Sequence, residues 1–256
     1  MPVVSGVDDG PGLLVAHPRE CPPDHVIDWH THSRAQLLYA VSGVMRVATD
    51  AGVWIVPPQR AVWIPPGIEH QVQAQGTPLS MRSLYFHPRV LERLPTECCV
   101  ITVSPLLREL ISAVTQLGKY PSDDGPTGRL IQVLLDQIEA VRVQPLHLPM
   151  PSDKRLQPIA AALTEDPSDC RTLADWTDRT GASERTLARL FKSDTGMSFG
   201  HWRQQVRLLA ALARLARGES VTIVAMDLGY ASQSAFIAMF RRALGRTPGR
   251  YFSDLI

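Results

Sequence analysis

Cysteine is scarce in this sequence. Only four occur in 256 residues (Cys21, Cys98, Cys99 and Cys170), and none stands in a C-x-x-C pair. A chain of this length buries enough apolar surface to fold without disulfide staples, so a reducing compartment, the cytoplasm, is expected. Long apolar runs are missing as well. Nothing approaches the roughly 18 residues needed to span a bilayer, and the Leu208–Ala216 stretch is broken by Arg214. The segment Met1–Gly12 has no basic cluster, carries Asp8 and Asp9 instead, and does not resemble a secretion signal. No membrane partner is expected. Neither sign of charge dominates: the formal net charge is +1, with 45% hydrophobic and 20% charged residues, a globular balance rather than a disordered one.

The even total conceals an asymmetry. From Ser152 onward 15 Lys/Arg face 11 Asp/Glu, whereas before it 11 face 14. A mildly basic carboxyl half suits a polyanionic partner. The patterning changes along the chain in the same sense. Between about residues 13 and 88, short apolar runs (Gln36–Val41, Val44–Ala48, Val53–Val56, Ala61–Ile64, Met81–Phe86) alternate with turn punctuation such as Ser42-Gly43, Pro57-Pro58 and Pro65-Pro66-Gly67. Such spacing predicts a small β-barrel or sandwich. After Pro105 the period becomes helical: Leu106, Leu107, Leu110, Ile111 and Val114, then Leu130, Val133, Leu134, Ile138 and Val141. The segment Gln144–Asp153, with Pro145, Pro149 and Pro151, reads as a linker, and everything beyond it as helical. The expected fold is therefore α+β in two domains. A barrel over residues 1–103 is followed by coupling or dimerisation helices over 104–143, a linker over 144–153 and an all-α domain over 154–256.

The last domain repeats itself at an offset of 49 residues. Ser183 maps on Ser232, Leu187 on Phe236, Leu190 on Met239, Phe191 on Phe240, Gly196 on Gly245 and Ser198 on Thr247. A repeat of this kind is one supersecondary unit used twice. In the first copy Leu173–Thr180 reads as a short helix, Gly181 as the turn and Ser183 as the cap of a second helix. Leu187, Leu190 and Phe191 point inward, while Arg185, Ala188, Arg189 and Lys192 point out. In the second copy Thr222–Leu228, Gly229 and Ser232 play the same parts. Phe236, Met239 and Phe240 face in, and Gln233, Ser234, Ile237, Ala238 and Arg241 face out. A helix, a glycine turn and a capped second helix make a helix-turn-helix unit, whose second helix enters the major groove of DNA. Phe199–Arg217 separates the copies and as a helix spans about 28 Å at ~1.5 Å per residue, near the ~34 Å of one DNA turn.

Residues Leu173–Phe252 resemble the AraC/XylS-type DNA-binding domain. The resemblance is carried by Ala225–Phe236, by Phe240-Arg241-Arg242 and by Gly245–Tyr251. It implies transcription regulation, with double-stranded promoter DNA as partner and RNA polymerase as a further one if the protein activates. It also implies that the outward residues of both second helices, Arg185 and Arg189, then Gln233, Ser234 and Ile237, meet base edges. Arginine pairs with guanine O6 and N7 and glutamine with adenine N6 and N7, so the first unit is expected to read G·C pairs more strongly. Ala188 and Ala238 depart from a polar recognition face. Lys192, Arg241, Arg242 and Arg250 are the candidates for phosphate contacts, which position without specifying.

In the amino-terminal half, His30-Thr31-His32, then Gln36, then Gly43 resembles the first motif of the cupin family, with glutamine where glutamate is usual. Pro65, Gly67 and His70 resemble the second, with Ala74 at its last position. This resemblance implies a β-barrel with an interior ligand pocket. On a strand, residues i and i+2 share a side. His30 and His32 can then face inward together, and His70 from a facing strand completes three nitrogens suited to Zn²⁺, Ni²⁺ or Fe²⁺. Gln36 as a neutral donor weakens such a site and removes a possible general base. The same histidines equally suit an effector pocket without metal, or plain hydrogen bonding. Trp29, Tyr39, Trp54 and Trp63 are either pocket walls or core, and Cys98-Cys99 either a sensor or buried inert thiols.

Three functions remain open on the sequence: a ligand-responsive regulator, a metal-dependent cupin enzyme with a DNA-binding tail, and a constitutive binder whose barrel only assembles homodimers. The first is favoured, with no catalytic residues and a small-molecule effector as ligand. The glutamine at position 36 and the lack of a nucleophile–base pair elsewhere speak against the second.

Overall fold

The computed structural model describes residues 7–8, 10–139, 143–144 and 146–253. It divides into two compact units, one comprising Met1–Asp50 and Trp54–His147, the other Ala51–Val53 and Leu148–Ile256.

The first unit is built on antiparallel sheets. One sheet takes β1 (Leu14–Cys21), β3 (Ala35–Ser42), β6 (Arg60–Ile64), β8 (Leu79–Phe86), β9 (Cys99–Thr102) and β10 (Val143–Gln144) in the order β1-β8-β3-β6-β9-β10. The other holds β2 (Val26–His30), β4 (Met45–Thr49), β5 (Gly52–Val56) and β7 (His70–Ala74) in the order β5-β4-β7-β2. The residues Ala35–Ala40 are all buried, so β3 is covered on both faces. That explains why it reads as a continuous apolar run rather than an alternating one.

One cover is helical. α1 (Pro105–Gln116), capped by Ser104, and α2 (Gly125–Glu139) pack Leu107, Ile111, Val114, Leu134 and Ile138 into a single core with Leu37, Trp63, Leu84, Phe86 and Ile101. The two amphipathic helices thus use their apolar stripes on their own sheet, and leave Leu106 and Val133 exposed. Val141 of the second helical pattern lies outside the described residues.

The stretch Gln144–Asp153, expected as a linker, carries strand instead. β10 pairs with β9, and β11 (His147–Pro149) follows. Leu146 and Leu148 are buried, Ile55 N–H donates to Leu146 O at 3.4 Å, and Trp54 stacks on His147 with centroids 4.3 Å apart. Proline is tolerated at a sheet edge, where its missing N–H leaves no gap in the ladder. Pro149, the last residue of β11, stands at such a strand end.

The second unit is helical: α3 (Gln157–Glu165), α4 (Thr177–Thr180), α5 (Glu184–Thr195), α6 (Phe199–Ala216), α7 (Val221–Asp227), α8 (Gln233–Leu244) and α9 (Pro248–Ser253). Leu173–Thr180 is not one helix. A 3-10 turn over Ala174–Trp176 precedes the single turn of α4, because the Asp175 carboxylate holds Thr172 N–H at 2.7 Å and tightens the entry. Among the described residues no helix is long and apolar enough to cross a membrane.

Candidate nucleic-acid interface and histidine cluster

The 49-residue repeat is physical. α5 and α8 both span 12 residues and both start from a serine, Ser183 and Ser232. Its Oγ accepts the N–H of the residue three further on, Thr186 at 3.3 Å and Ala235 at 3.2 Å. Both end on a left-handed glycine, Gly196 (φ 72°) and Gly245 (φ 76°), a backbone conformation that L side chains rarely adopt. Leu187 and Phe191 in one helix and Phe236, Met239 and Phe240 in the other are buried, whereas Leu190 is only half-buried.

On the outer faces Arg185, Ala188, Arg189 and Lys192 are exposed, as are Gln233, Ser234, Ala238, Arg241 and Arg242; Ile237 is half-buried. Two of these side chains are engaged within the protein. Lys192 Nζ donates to Gly196 O at 2.8 Å, neutralising the carbonyl end of its own helix, and Gln233 Oε1 accepts from Thr222 Oγ1 at 3.2 Å. Arg185, Arg189, Arg241 and Arg242 make no side-chain hydrogen bond or ion pair among the described residues.

The spacer α6 ends at Ala216, with Arg217 as its cap, so its 18 residues reach about 27 Å at ~1.5 Å each. Sequence reasoning did not foresee what holds it. Trp202, fully buried, donates Nε1–H to Pro149 O at 2.7 Å. Arg203 reaches the carbonyls of Cys170 (3.3 Å) and Arg171 (3.2 Å), and Arg207 those of Pro167 (2.9 Å) and Ser168 (3.3 Å). At the far end Arg214 forms ion pairs with Glu219 and Asp227, both at 2.6 Å, and Arg217 joins Glu219 at 3.0 Å. Arginines at helical spacing along α6 thus fasten it to the segment after α3 and to α7. The visible signal was an Arg203-Arg207-Arg214 periodicity on a helix otherwise apolar on its inner face.

In the first unit His30, His32 and His70 come together, with ring nitrogens within 4.8 Å of one another. His30 ends β2 and His70 opens β7, directly paired across the ladder. His32 is not on a strand: it lies in the turn between β2 and β3, so strand alternation is not what aims it. Its carbonyl accepts Gly67 N–H at 2.9 Å, and its Nδ1 donates to Arg34 O at 2.6 Å, and these bonds fix the turn instead. His30 and His32 are 3% exposed, His70 0% and Gln36 2%.

The hydrogen bonding selects one tautomer throughout. His30 Nδ1 lies 2.7 Å from Asp28 O and His70 Nδ1 2.8 Å from Ile68 O, matching the His32–Arg34 bond. A carbonyl can only accept, so each Nδ1 carries a proton and each Nε2 is left for something else. Burial pushes the His70 pKa down to about 3 and lowers that of His30, which keeps those two rings neutral. Gln36 Oε1 then sits 3.1 Å from His32 Nε2 and 3.0 Å from His70 Nε2, acceptor facing acceptor. Turning the amide would offer two N–H donors. A cation would satisfy all the lone pairs at once. The donor set, three nitrogens backed by carbonyl-anchored N–H groups, fits Zn²⁺, Ni²⁺ or Fe²⁺.

The remaining candidates are structural. Tyr39, Trp54 and Trp63 are buried, Trp63 against Phe86 and with Nε1–H on Pro95 O at 2.7 Å, while Trp29 is exposed. Burial raises the thiol of Cys98 to about 12 and that of Cys99 to about 11, so neither is a thiolate near neutral pH.

Two families match the two units: the AraC-like ligand binding domain over residues 13–148 and a helix-turn-helix domain over residues 176–254. The HTH-type transcriptional regulator NimR of Escherichia coli is 40% identical over 226 residues, 88% of this chain and 82% of NimR. This chain is an AraC/XylS-type transcription regulator. Other relatives match over less. RipA of Corynebacterium glutamicum is 35% identical over 108 residues, 42% of this chain and 33% of RipA. The activator RhaR of Yersinia pestis is 32% identical over 130 residues, 48% of this chain and 44% of RhaR. The regulator combines a ligand-binding unit with a sequence-specific DNA-binding unit, and its function is ligand-responsive control of transcription.

Proposed function

We propose that the regulator reads its operator with the outer faces of α5 and α8, set in successive major grooves by α6. Arg185 and Arg189 take guanine edges. Gln233, Ser234 and Ile237 make the lesser base contacts of the second unit. Lys192, Arg241 and Arg242 meet phosphates. The observation that carries this is the pair of equal, identically capped helices whose arginines are exposed and unengaged while the residues one turn away are buried. Gln233 and Lys192 must give up an internal bond to touch DNA, which makes them weaker readers than the two arginines.

The effector side rests on His30, His32, His70 and Gln36. We assign them a divalent transition metal as the sensed ligand or as the anchor of a small-molecule effector, because the convergent acceptors support a cation there. The exposed Leu106 and Val133 of α1 and α2 support a homodimer contact, and RNA polymerase is a partner if the protein activates. The cytoplasm is the compartment, and the role is regulatory rather than enzymatic.

Sequencing of genomic fragments captured by the full-length protein, followed by footprinting with and without Zn²⁺, tests both halves of the reading. Two protected half-sites about one helical turn apart are expected, with occupancy that changes on adding metal. His30→Ala with His32→Ala should abolish the metal response and leave the footprint in place. A single protected groove sinks the tandem arrangement, and an undiminished response in the double variant sinks the histidine assignment.

A further inference from the structure

The first recognition helix carries a charge that its own fold does not ask for. Asp194 is the last residue but one of α5, where the unpaired carbonyls of a helix end disfavour a carboxylate. The second copy of the repeat has Ala243 at the matching place, 49 residues on, so a helix-turn-helix unit of this build does without the acid. Asp194 is exposed, yet both its oxygens are engaged. Oδ2 accepts Asp153 N–H at 3.0 Å and Ser152 N–H at 2.8 Å, and Oδ1 accepts Ser152 Oγ–H at 2.8 Å. The bonds from Asp153 and Ser152 hold the Asp194 carboxyl below its ordinary range.

The donors belong to the stretch that opens the second unit. That unit takes up the chain at Leu148. Pro149 O accepts Trp202 Nε1–H of α6 at 2.7 Å, and Ser152 O accepts Gln157 Nε2–H at 3.1 Å. Pro149 and Pro151 have fixed φ and favour extended backbone at Leu148 and Met150 before them, so the stretch is stiff rather than slack. The neighbouring acid does not spoil the contact, because Asp153 turns its own carboxylate on Arg155 at 2.7 Å.

We infer that residues 149–153 form a strap that sets the first recognition helix, and that Asp194 is a positioning residue for DNA reading. It touches no base and acts through α5. The strap is fastened to α6 by Trp202 and to the carbonyl end of α5 by Asp194, so it fixes the direction in which Arg185 and Arg189 leave their helix. A base contact made by two parallel N–H groups tolerates little misorientation, so a small swing of α5 impairs reading before it impairs folding. The tandem repeat is then asymmetric. α5 is held from outside the helix-turn-helix pair, whereas α8 has Ala243, whose side chain offers no acceptor. The inference rests on α5 reading one half-site and α8 the other.

Asp194→Ala in the full-length protein tests this, since it gives the first helix the residue that the second already has. The site is exposed and the freed N–H groups meet water, so folding is not threatened. Without DNA, amide hydrogen exchange over residues 184–195 should quicken by about fivefold or more while that over 233–244 holds. On the captured operator, the α5 half-site is the one whose base preference changes in Arg185→Ala. Its protection should weaken by about fivefold or more in Asp194→Ala, with the other half-site unchanged. Ser152→Ala removes one of the three bonds and should shift both readings the same way by less. Added to Asp194→Ala it should change nothing further, because the two substitutions remove one shared contact. Unchanged exchange over α5, a fully protected α5 half-site, equal weakening of both half-sites, or additive losses in the double variant each overturns the inference. Faster exchange over α5 together with a single protected groove in the unmodified protein supports the strap and refutes the tandem reading instead.

Discussion

Arg185→Ala separates reading from clinging. Arg185 stands two residues after the Ser183 cap, exposed and without an internal side-chain partner, so its removal should leave folding stability within about 0.5 kcal/mol. If its guanidinium takes guanine O6 and N7 together, that contact is worth about 1–3 kcal/mol of discrimination. At ~1.4 kcal/mol per decade, that is roughly 5- to 150-fold in affinity. If it meets only phosphate, the loss falls equally on every sequence and the slope of log K against log salt drops by about 0.9. Fluorescence anisotropy decides between these on the footprinted operator, on its single-base variants and on random duplex, each at several salt concentrations. The expected signature is a loss confined to one base pair, with the variant and the parent converging once that base is changed and the salt slope unaltered. Equal losses on operator and random DNA, with a shallower slope, refute base readout by α5 at this position. Ser183→Ala is the matched control: loss of a capping oxygen costs about 1 kcal/mol of stability and shifts no base preference.

Three further outcomes follow from the same geometry. Arg214→Met removes the ion pairs to Glu219 and Asp227 that fasten α6 to α7, so protection of the second half-site should weaken while the first persists; loss of both together contradicts a local joint. Gln36→Glu places a negative oxygen beside His32 Nε2 and His70 Nε2 and should tighten Zn²⁺ binding in a chelator-competition titration, whereas unchanged affinity argues that position 36 does not face the ion. In acid, the second unit should lose stability as pH falls through about 4, the unfolded carboxyl range. Bonds to Arg171, to Thr172 N–H, to Asp153 N–H and to Arg214 hold Asp169, Asp175, Asp194 and Glu219 respectively below that range when folded. Their contribution is therefore present above the unfolded value and disappears below it, so urea midpoints that rise on acidification contradict the assignment.

The tandem unit was legible because its signals are local. A cap serine, an apolar i, i+3, i+4 face and a terminal glycine recur at 49 residues, and each is decided within one helix. The engagement of Lys192 with Gly196 O is equally local, but lysine at a helix end has many rotamers and spacing alone does not choose one. The Thr222–Gln233 bond joins two helices across the turn and depends on their crossing. In the first unit the histidine triplet is legible from its spacing, but turn hydrogen bonds and not strand alternation place His32. The division between the two units falls inside the expected linker, but the short strands within it are not legible for a related reason. Prolines register as breakers in a one-dimensional reading, and only the sheet shows that Leu146 and Leu148 are buried at an edge.

The chemistry of the histidine cluster bears on whether such a site reports or reacts. Turnover at a bound metal generally requires a nearby group that accepts and returns a proton. Here each imidazole has already committed Nδ1–H to a carbonyl, so once Nε2 holds an ion none of the three rings is a base. The amide of Gln36 has no basic lone pair near neutral pH. Tyr85, edge-on to His32 with centroids 5.0 Å apart, has its pKa pushed up to about 12 by burial and stays protonated. An ion held there would be surrounded by neutral donors that do not cancel its charge, in a buried place where an uncompensated charge is costly. Occupying or emptying such a position changes the energy of the turn that carries His32 without any bond being made or broken. Such a response would serve the sensing role proposed above for this cluster, to which Gln36 brings a neutral amide in place of a carboxylate.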